Sequence, residues 1–226
     1  MYETLEKILG IHFENPALLQ QALTHRSYIY EIAGEGLSSN ERLEFLGDSI
    51  LAFISADYLY RAFPDLNEGE LSDLRAALVR RETLAAFAHE INLGKFLLMG
   101  KGEQSSGASQ RVLASAYEAV LGAIYLDQGI KAVQQFLMPG LAPLALDIVS
   151  KKLFKDQKSL FQEQAQAHVG ITPTYRLVSQ EGPSHNREFT VEVLLRDEIA
   201  GRGQGRNKQA AEQEAAHAAL VSRGWI

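Results

Sequence analysis

Between residue 1 and about residue 150, apolar residues recur at the three- and four-residue spacings of amphipathic helices. Capping and breaking residues divide this stretch into separate elements. We therefore predict helices at four places: one opened by Glu14-Asn15-Pro16, one capped within Ser38-Ser39-Asn40 and ending before Pro64, one begun by Ser72 at Leu74, and one from Val112 to Asp127.

Glycine, serine and proline interrupt this helical pattern. The segment from Gly100 to Gln110 is polar and rich in glycine and serine, which predicts a mobile loop. Proline cannot donate a helical hydrogen bond and glycine destabilises a helix. Pro139-Gly140 and Pro143 therefore predict the end of the helical run. The pattern thus indicates an all-α domain over residues 1–150.

The pattern changes after residue 150. Lys151, Lys152, Lys155 and Lys158 mark a basic stretch, and we predict a linker over residues 151–157. The elements predicted after it are, in order, a helix near Leu160 to His168, a strand opened by Pro173-Thr174-Tyr175, a period-two strand with one buried face from Phe189 to Leu195, a short strand over Glu198 to Gly203, and an alanine-rich helix capped by Asn207. Residues 158–226 therefore have the order α-β-β-β-α.

The overall composition is that of a globular protein, with 46% hydrophobic and 22% charged residues. No stretch approaches the roughly 20 apolar residues of a membrane span, so we expect no membrane partner. The first residues lack the pattern of a secretion signal. The chain has no cysteine, which excludes disulfides and thiolate metal sites and fits a reducing cytoplasm. We expect a cytoplasmic protein.

Charge is divided unevenly along the chain. The net charge of −6 taken alone argues against a nucleic-acid partner. Residues 1–150, however, carry 19 Asp and Glu against 11 Lys and Arg, a net −8, whereas residues 151–226 carry 9 against 11, a net +2. An acidic body with a mildly basic tail suggests that chemistry and binding belong to two different units.

The helix after Asn40 carries three carboxylates on one narrow side. At about 100° per residue, Glu41, Glu44 and Asp48 fall within roughly 60° of arc. Like charges at this spacing destabilise a helix by a few tenths of a kcal/mol, and no cation on the same stripe offsets them. The alternative is a solvated acidic face, with Glu41 as the capping-box partner of Ser38. The apolar side that we expect to face the core consists of Leu43, Leu46, Ile50, Phe53 and Ile54.

A fourth carboxylate lies on a separate helix. Glu118 stands in an otherwise apolar or small segment from Ala114 to Gly122, where it needs a counter-charge or water. A meeting of Glu118 with Glu44 and Asp48 around a hard cation would satisfy all three. Oxygen-only ligands favour Mg²⁺, with Mn²⁺ as a substitute.

Two further residues of the acidic helix are unusual. Phe45 lies outside the apolar arc, which suggests either an ordinary exposed aromatic or a residue that docks into a neighbouring subunit. Gly47 costs up to about 1 kcal/mol in a helix relative to alanine, so we expect it to make a close packing contact.

These motifs resemble one known family. The sequence from Asn40 to Leu51, NERLEFLGDSIL, is similar to the signature helix of the ribonuclease III family, whose bacterial members cut double-stranded RNA. The segment Ala22 to Ser27 resembles the family's N-terminal motif, and Leu71 to Arg75 and Leu113 to Asp127 follow in the family's order. Residues 158–226 resemble a double-stranded RNA-binding domain, so the resemblance covers essentially the whole chain.

The resemblance implies a helical endonuclease and dimerisation domain over residues 1–150, followed by a small α+β double-stranded RNA-binding domain. It implies a metal-dependent endoribonuclease that leaves 5′-phosphate and 3′-hydroxyl ends, acts in the processing of rRNA precursors and mRNA, and needs no small-molecule cofactor. It also implies a homodimer in which each subunit supplies one active site.

The family's functional residues match this chain position by position. Glu44, Asp48 and Glu118 match the metal ligands, and Asp48 and Glu118 are the expected catalytic pair. Glu41 matches a supporting acidic residue, and Phe45 matches the aromatic that enters the partner subunit.

Two other positions near the site need comment. Ser115 stands where the family commonly has an aspartate, three residues before Glu118, and we expect weaker metal binding rather than loss of activity. His25 is expected to be a structural hydrogen-bonding residue at a helix end and not a general base.

The basic tail is expected to bind A-form RNA by its shape and backbone. Gln162 and Gln166 of its first helix are expected to reach a minor groove of the RNA. The alternative is that they form an ordinary solvated polar face. Gln209 replaces a lysine that is usual in the family, which predicts a shallower salt dependence. The expected RNA-binding residues are Gln162, Glu163, Gln166, His185, Arg206, Asn207 and Lys208. The alanines expected to let the last helix lie close to the sheet are Ala210, Ala211, Ala215, Ala216 and Ala219.

Two other functions stay open at the level of sequence. A non-catalytic double-stranded RNA-binding dimer is favoured only by Ser115, and the retained carboxylates argue against it. A metal-dependent phosphohydrolase acting on small nucleotides would leave the RNA-binding tail without a role.

Overall fold

The computed structural model describes residues 2–32, 36–150, 157–183 and 187–226. The chain divides into two compact units, Met1–Phe154 and Lys155–Ile226. The described helices of the first unit are α1 Tyr2–Leu9, α2 Pro16–Ala22, α3 Arg26–Ile32, α4 Glu41–Ala62, α5 Glu68–Leu78, α6 Arg81–Glu90, α7 Lys101–Ser106, α8 Gln110–Gln128 and α9 Ile130–Ser150, with a 3₁₀ turn at Leu93–Phe96.

Helices α4 and α8 cross at the centre of the first unit with their backbones in contact. A Cβ on Gly47 would overlap the carbonyl oxygen of Glu118, and a Cβ on Gly122 would overlap that of Leu43. The close packing contact predicted for Gly47 is therefore confirmed. The crossing brings the acidic side of α4 next to Glu118.

The start of α2 and the end of α4 agree with the sequence prediction, and α8 begins at Gln110, two residues before the predicted Val112. The side chain of Asn15 accepts a hydrogen bond from the Ala17 amide at the start of α2. Helix α4 ends one residue before Phe63, short of Pro64. Helix α8 is capped by Ser109, whose side chain accepts from the Val112 amide.

Two predicted boundaries are wrong. Helix α5 begins at Glu68 rather than near Leu74, because Asn67 and Glu70 form a reciprocal capping box one turn before Ser72. The segment predicted to be a loop from Gly100 to Gln110 contains α7.

The prolines predicted to end the helical run lie inside α9 instead. Pro139 and Pro143 are both exposed and four residues apart, so they share the outer side of the helix. On that side water can reach the carbonyl groups that lack a partner. The opposite side packs into the core through a run of residues mostly four apart, Val133, Leu137, Leu141, Ala145 and Ile148. Burial of that side outweighs the two missing hydrogen bonds.

Helix α9 also changes one expectation from the sequence. It is long and apolar enough to span a membrane by length and composition, so the expectation that no stretch approaches such a span is wrong for this helix. One such helix is weak evidence for a membrane, because core helices of globular proteins share these properties.

The second unit has the predicted α-β-β-β-α order. Its elements are α10 Gln157–Val169, β1 Thr174–Glu181, β2 Glu188–Leu195, β3 Glu198–Gly205 and α11 Lys208–Ser222, with the strands antiparallel in the order β1-β2-β3. Residues 151–156 of the predicted linker lie outside the described residues, and Lys158 belongs to α10.

The central strand is buried on both faces, whereas the sequence predicted one buried face. Val191 and Val193 pack against the helices. On the other face Glu192 accepts a hydrogen bond from Arg176 at 2.7 Å, and Thr190 lies 3.5 Å from the Gln204 amide. Cross-strand polar pairs thus cover the face that the alternation assigned to solvent.

Helix α11 lies directly on β3, as the alanines predicted. Ala211, Ala215, Ala216 and Ala219 are fully buried, whereas Ala210 is exposed. The three glycines of β3, which the sequence analysis did not single out, complete this contact. A Cβ on Gly201 or Gly205 would lie 2.6 Å from a backbone nitrogen of the helix, and one on Gly203 would overlap the backbone of the helix.

Candidate active site

All four predicted carboxylates line one cavity of about 850 Å³ in the first unit. Helix α4 contributes Glu41, Glu44 and Asp48 from the side that does not face the core, and α8 contributes Glu118. The remaining lining residues are His25, Arg26, Ser27, Tyr30, Asn40, Phe45, Glu103, Ser109, Arg111, Val112 and Ser115. The predicted meeting of the two helices around these side chains is therefore present.

Two of the carboxylates are held by serine hydroxyl groups. Ser115 Oγ lies 2.8 Å from Glu44 Oε1 and donates to it. Ser39 Oγ lies 2.9 Å from Glu41 Oε2, while Arg26 lies 3.4 Å from Glu41 Oε1. The alternative in which Glu41 forms a capping box with Ser38 is wrong, because α4 begins after Asn40 and has no side-chain cap there.

Glu118 is the carboxylate with the most perturbed environment. Its burial against α4 raises its pKa to about 7, and the charges of Asp48 and Glu44 add to the rise. Arg81 acts in the opposite direction. A carboxyl group whose charged form is disfavoured by burial and by two neighbouring acids is a candidate functional group of the cavity.

The donor set fits a hard divalent cation. Oxygen ligands from carboxylates are those that Mg²⁺ and Mn²⁺ prefer. Mutual repulsion among Glu44, Asp48 and Glu118 is what a bound cation would relieve. Among the described residues, however, no three acidic or imidazole side chains already converge into a cage, so the side chains would have to close on the ion.

The cavity also has a cationic side. Arg111 is exposed on α8, four residues before Ser115 and seven before Glu118, and it faces the same cavity. The sequence analysis missed it, although seven residues are about two helical turns and place Arg111 on the same side of α8 as Glu118. Arg26 lies on the first turn of α3 and pairs with Glu41.

His25 has the structural environment predicted for it. Its ring nitrogen Nδ1 lies 2.7 Å from Ser27 Oγ and accepts from the Ser27 amide at 3.3 Å. Its own backbone amide donates to the carbonyl oxygen of Leu98. These contacts fix the turn before α3.

An apolar groove lies on another side of α4. Phe45 is 77% exposed and Phe53 is 61% exposed. The prediction that Phe53 faces the core is wrong, because α8 packs against the side of α4 that contains Gly47 and thereby leaves Phe53 outside. The groove has a volume of about 740 Å³ and is lined by Leu46, Ser49, Ile50, Phe53, Tyr125, Leu126, Gly129 and Ile130.

The predicted RNA-binding residues are placed on the surface of the second unit where the structure describes them. Gln162, Glu163 and Gln166 are exposed on α10. Arg206, Asn207 and Lys208 are exposed at the start of α11. His185 lies outside the described residues.

The start of α11 combines capping with positive charge. The side chain of Asn207 accepts from the Ala210 amide at 2.8 Å, so one of its polar atoms serves the helix. Lys208 lies 3.8 Å from Glu212 and stays largely exposed. Arg206 shares a shallow cavity with Arg187, a residue that the sequence analysis did not single out.

Comparisons with known proteins cover nearly the whole chain. Residues 15–143 match the family model described as Ribonuclease-III-like, and residues 157–221 match the double-stranded RNA binding motif. The chain is 48% identical to the ribonuclease 3 of Roseiflexus sp. (strain RS-1) over 222 residues, covering 96% of this chain and 94% of the relative. It is also 48% identical to the ribonuclease 3 of Oceanobacillus iheyensis over 221 residues, covering 96% of each.

Two solved structures also match this chain. A nuclease domain of ribonuclease III from Campylobacter jejuni, described as showing structural flexibility in a region involved in dimer formation, matches with a TM-score of 0.58 and 37% identity. That match covers 63% of this chain and 97% of the solved domain. Dicer from Pichia stipitis matches with a TM-score of 0.51 and 25% identity, covering 95% of this chain and 97% of that one.

Proposed function

This chain belongs to the ribonuclease III family, and from that premise we propose that its cleavage of double-stranded RNA depends on Mg²⁺ held by Glu44, Asp48 and Glu118. The endoribonuclease activity itself follows from the nuclease and RNA-binding family models and from relatives of the same architecture. The observation that carries the metal proposal is the set of carboxylates from two helices lining one cavity.

A bound divalent ion would acidify water and neutralise charge on the scissile phosphate. The chain's part is to supply oxygen ligands and to orient the attacking water. We assign Glu44 and Glu118 as ligands and Asp48 as a ligand or as the base that orients the water. Glu41, held by Ser39 and Arg26, adjusts the charge of the site from its edge.

The direction of attack determines the products. Water adds to phosphorus as the bond to the 3′-oxygen breaks, and the proton lost from the water leaves through the acidic cluster. The 3′-oxygen gains a proton to become a hydroxyl, and the phosphate stays on the 5′ side. Arg111 lines the cavity without an ion-pair partner among the described residues, so it is suited to bind a phosphate of the substrate.

The apolar groove and the exposed Phe45 support a homodimer. Phe53 of α4 lines this groove together with Tyr125 and Leu126 of α8, and Phe45 is a second large apolar side chain exposed on α4. Exposed apolar patches of this kind mark interaction sites. The related Campylobacter jejuni domain is described as having a region involved in dimer formation. In our proposal Phe45 of each subunit enters the groove of the other.

The second unit would hold the RNA duplex. Arg206 and Lys208 supply positive charge at the start of α11, where helix amides also favour phosphate. Gln162, Glu163 and Gln166 would reach a minor groove from α10, and His185 from the loop before β2. We further propose a cytoplasmic enzyme that processes rRNA precursors and mRNA.

One cleavage assay tests the enzymatic proposal. A long RNA duplex is incubated with the protein and Mg²⁺, with Mg²⁺ and a chelator, or with the Glu118→Gln variant. We expect short duplex products with 5′-phosphate ends only with the unaltered protein and free Mg²⁺, and retention of uncut RNA by the variant. Intact duplex with Mg²⁺ and with Mn²⁺ at every protein concentration would refute the proposal.

A further inference from the structure

The hydroxyl group of Ser115 connects the two helices of the active-site cavity. Its Oγ lies 2.8 Å from Oε1 of Glu44, a residue 71 positions earlier in the chain. An ionised carboxylate can only accept, so the hydroxyl is the donor. A hydrogen bond to a charged group is stronger than one between neutral groups.

This hydrogen bond singles out Glu44 among the proposed metal ligands. Among the described residues, the Glu44 carboxylate accepts a side-chain hydrogen bond from Ser115, whereas the carboxylates of Asp48 and Glu118 accept no hydrogen bond. A free glutamate side chain beside two like charges would turn away from them. The Ser115 hydroxyl opposes that movement without adding a negative charge.

The hydrogen bond lies next to the close backbone contact between α4 and α8. Glu44 lies three residues before Gly47 on α4, and Ser115 lies three residues before Glu118 on α8. Gly47 and Glu118 form the backbone contact between these helices. Donor and acceptor therefore stand about one helical turn from a contact that leaves no room for the helices to approach further.

We propose that Ser115 is a positioning residue, whose hydroxyl holds the Glu44 carboxylate by donating to Oε1 so that this ligand is in place before a divalent ion binds. The inference rests on the proposed function, because it concerns the same carboxylates. It assigns Ser115 no contact with RNA or with the reacting phosphate. Removal of a group that orients a metal ligand typically weakens metal affinity by about 10–100-fold.

The test measures Mn²⁺ binding to the full-length protein without RNA, by titration with electron paramagnetic resonance detection of free Mn²⁺. We expect Ser115→Ala to raise the dissociation constant at least about tenfold. Ser115→Thr, which keeps the hydroxyl, should stay within about threefold of the unaltered protein. The matched control is Ser72→Ala, because Ser72 also donates to a glutamate, Glu68 at 3.2 Å, but outside the cavity. It should bind Mn²⁺ as the unaltered protein does.

The outcomes separate this inference from the proposal beneath it. Equal Mn²⁺ affinity in Ser115→Ala and the unaltered protein would overturn the positioning role and leave the metal site standing. Equal weakening by alanine and threonine would also overturn it, since the hydroxyl would then be irrelevant. No Mn²⁺ binding by the unaltered protein would overturn both. Thermal melting of the metal-free variants reports whether each one folds.

Discussion

Substitution of Gly47 by alanine tests whether backbone contact between α4 and α8 sets the geometry of the active site. The added Cβ would overlap the Glu118 carbonyl oxygen and lie 2.6 Å from its carbonyl carbon. Carbon atoms in contact prefer about 3.5–4.0 Å, so the helices must separate locally by about 1 Å. The obstructing atoms are backbone and cannot move aside as a flexible side chain would.

Two opposing effects set the magnitude. Overpacking of this kind costs about 1–3 kcal/mol and occasionally more. Alanine is better than glycine in a helix by about 1 kcal/mol. With the overlap on backbone atoms, we expect a net loss of about 2 kcal/mol, which corresponds to a melting temperature lower by about 4–8 °C. Displacement of a catalytic side chain by about 1 Å can lower the cleavage rate by about 100-fold.

The assay combines thermal melting with cleavage of an RNA duplex below both melting temperatures. Gly102→Ala is the control, because Gly102 also lies inside a helix but a Cβ there would meet nothing within 4 Å. It should melt at or slightly above the temperature of the unaltered protein and cut RNA at the same rate. If Gly47→Ala behaved as Gly102→Ala does, the close crossing would not be a determinant of the site.

Three further predictions follow from the cavity and the groove. Burial raises the pKa of Glu118 to about 7 in the folded protein. Between about pH 4.5 and 7 the folded protein therefore holds a proton that the unfolded chain has lost. The free energy of unfolding consequently falls as pH rises through this range. Metal-free Glu118→Gln should therefore melt with the unaltered protein at pH 4 and about 2–4 °C above it at pH 8, after allowance for the partial exposure of the side chain; a constant difference across this range would contradict the effect. Phe45→Glu should convert a dimer to monomer in sedimentation, and an unchanged dimer would refute its docking role. In the Glu118→Gln background, Arg111→Ala should make the slope of log binding constant against log salt concentration shallower by about one. The control Lys131→Ala, which removes an exposed cation on α9, should leave this slope unchanged. Equal slopes for the two variants would exclude a phosphate contact by Arg111.

Local sequence signals predicted much of the fold. The helical period located α4 and α8, and alternation located β2, although both faces of that strand are buried. The start of α5 was misplaced although Asn67 and Glu70 carry its signal in the sequence. The prolines of α9 misled because helix interiors tolerate them when the opposite face is buried.

The candidate site was predictable in part for a different reason. Three of its carboxylates share one face of one helix, so spacing alone brings them together. The Ser115 hydrogen bond and the apolar groove depend on how α4 and α8 cross, which no local pattern specifies. Phe53 illustrates the limit, since its spacing fits the buried face but the glycine contact turns it outward.

The contact of β3 with α11 restricts which substitutions the interior of the second unit accepts. Because Gly201, Gly203 and Gly205 meet backbone atoms of the helix, no exchange of side chains can adjust the distance between the two elements, and any larger residue can only disrupt it. We therefore expect substitutions that alter RNA affinity and keep this fold at exposed positions such as Gln209.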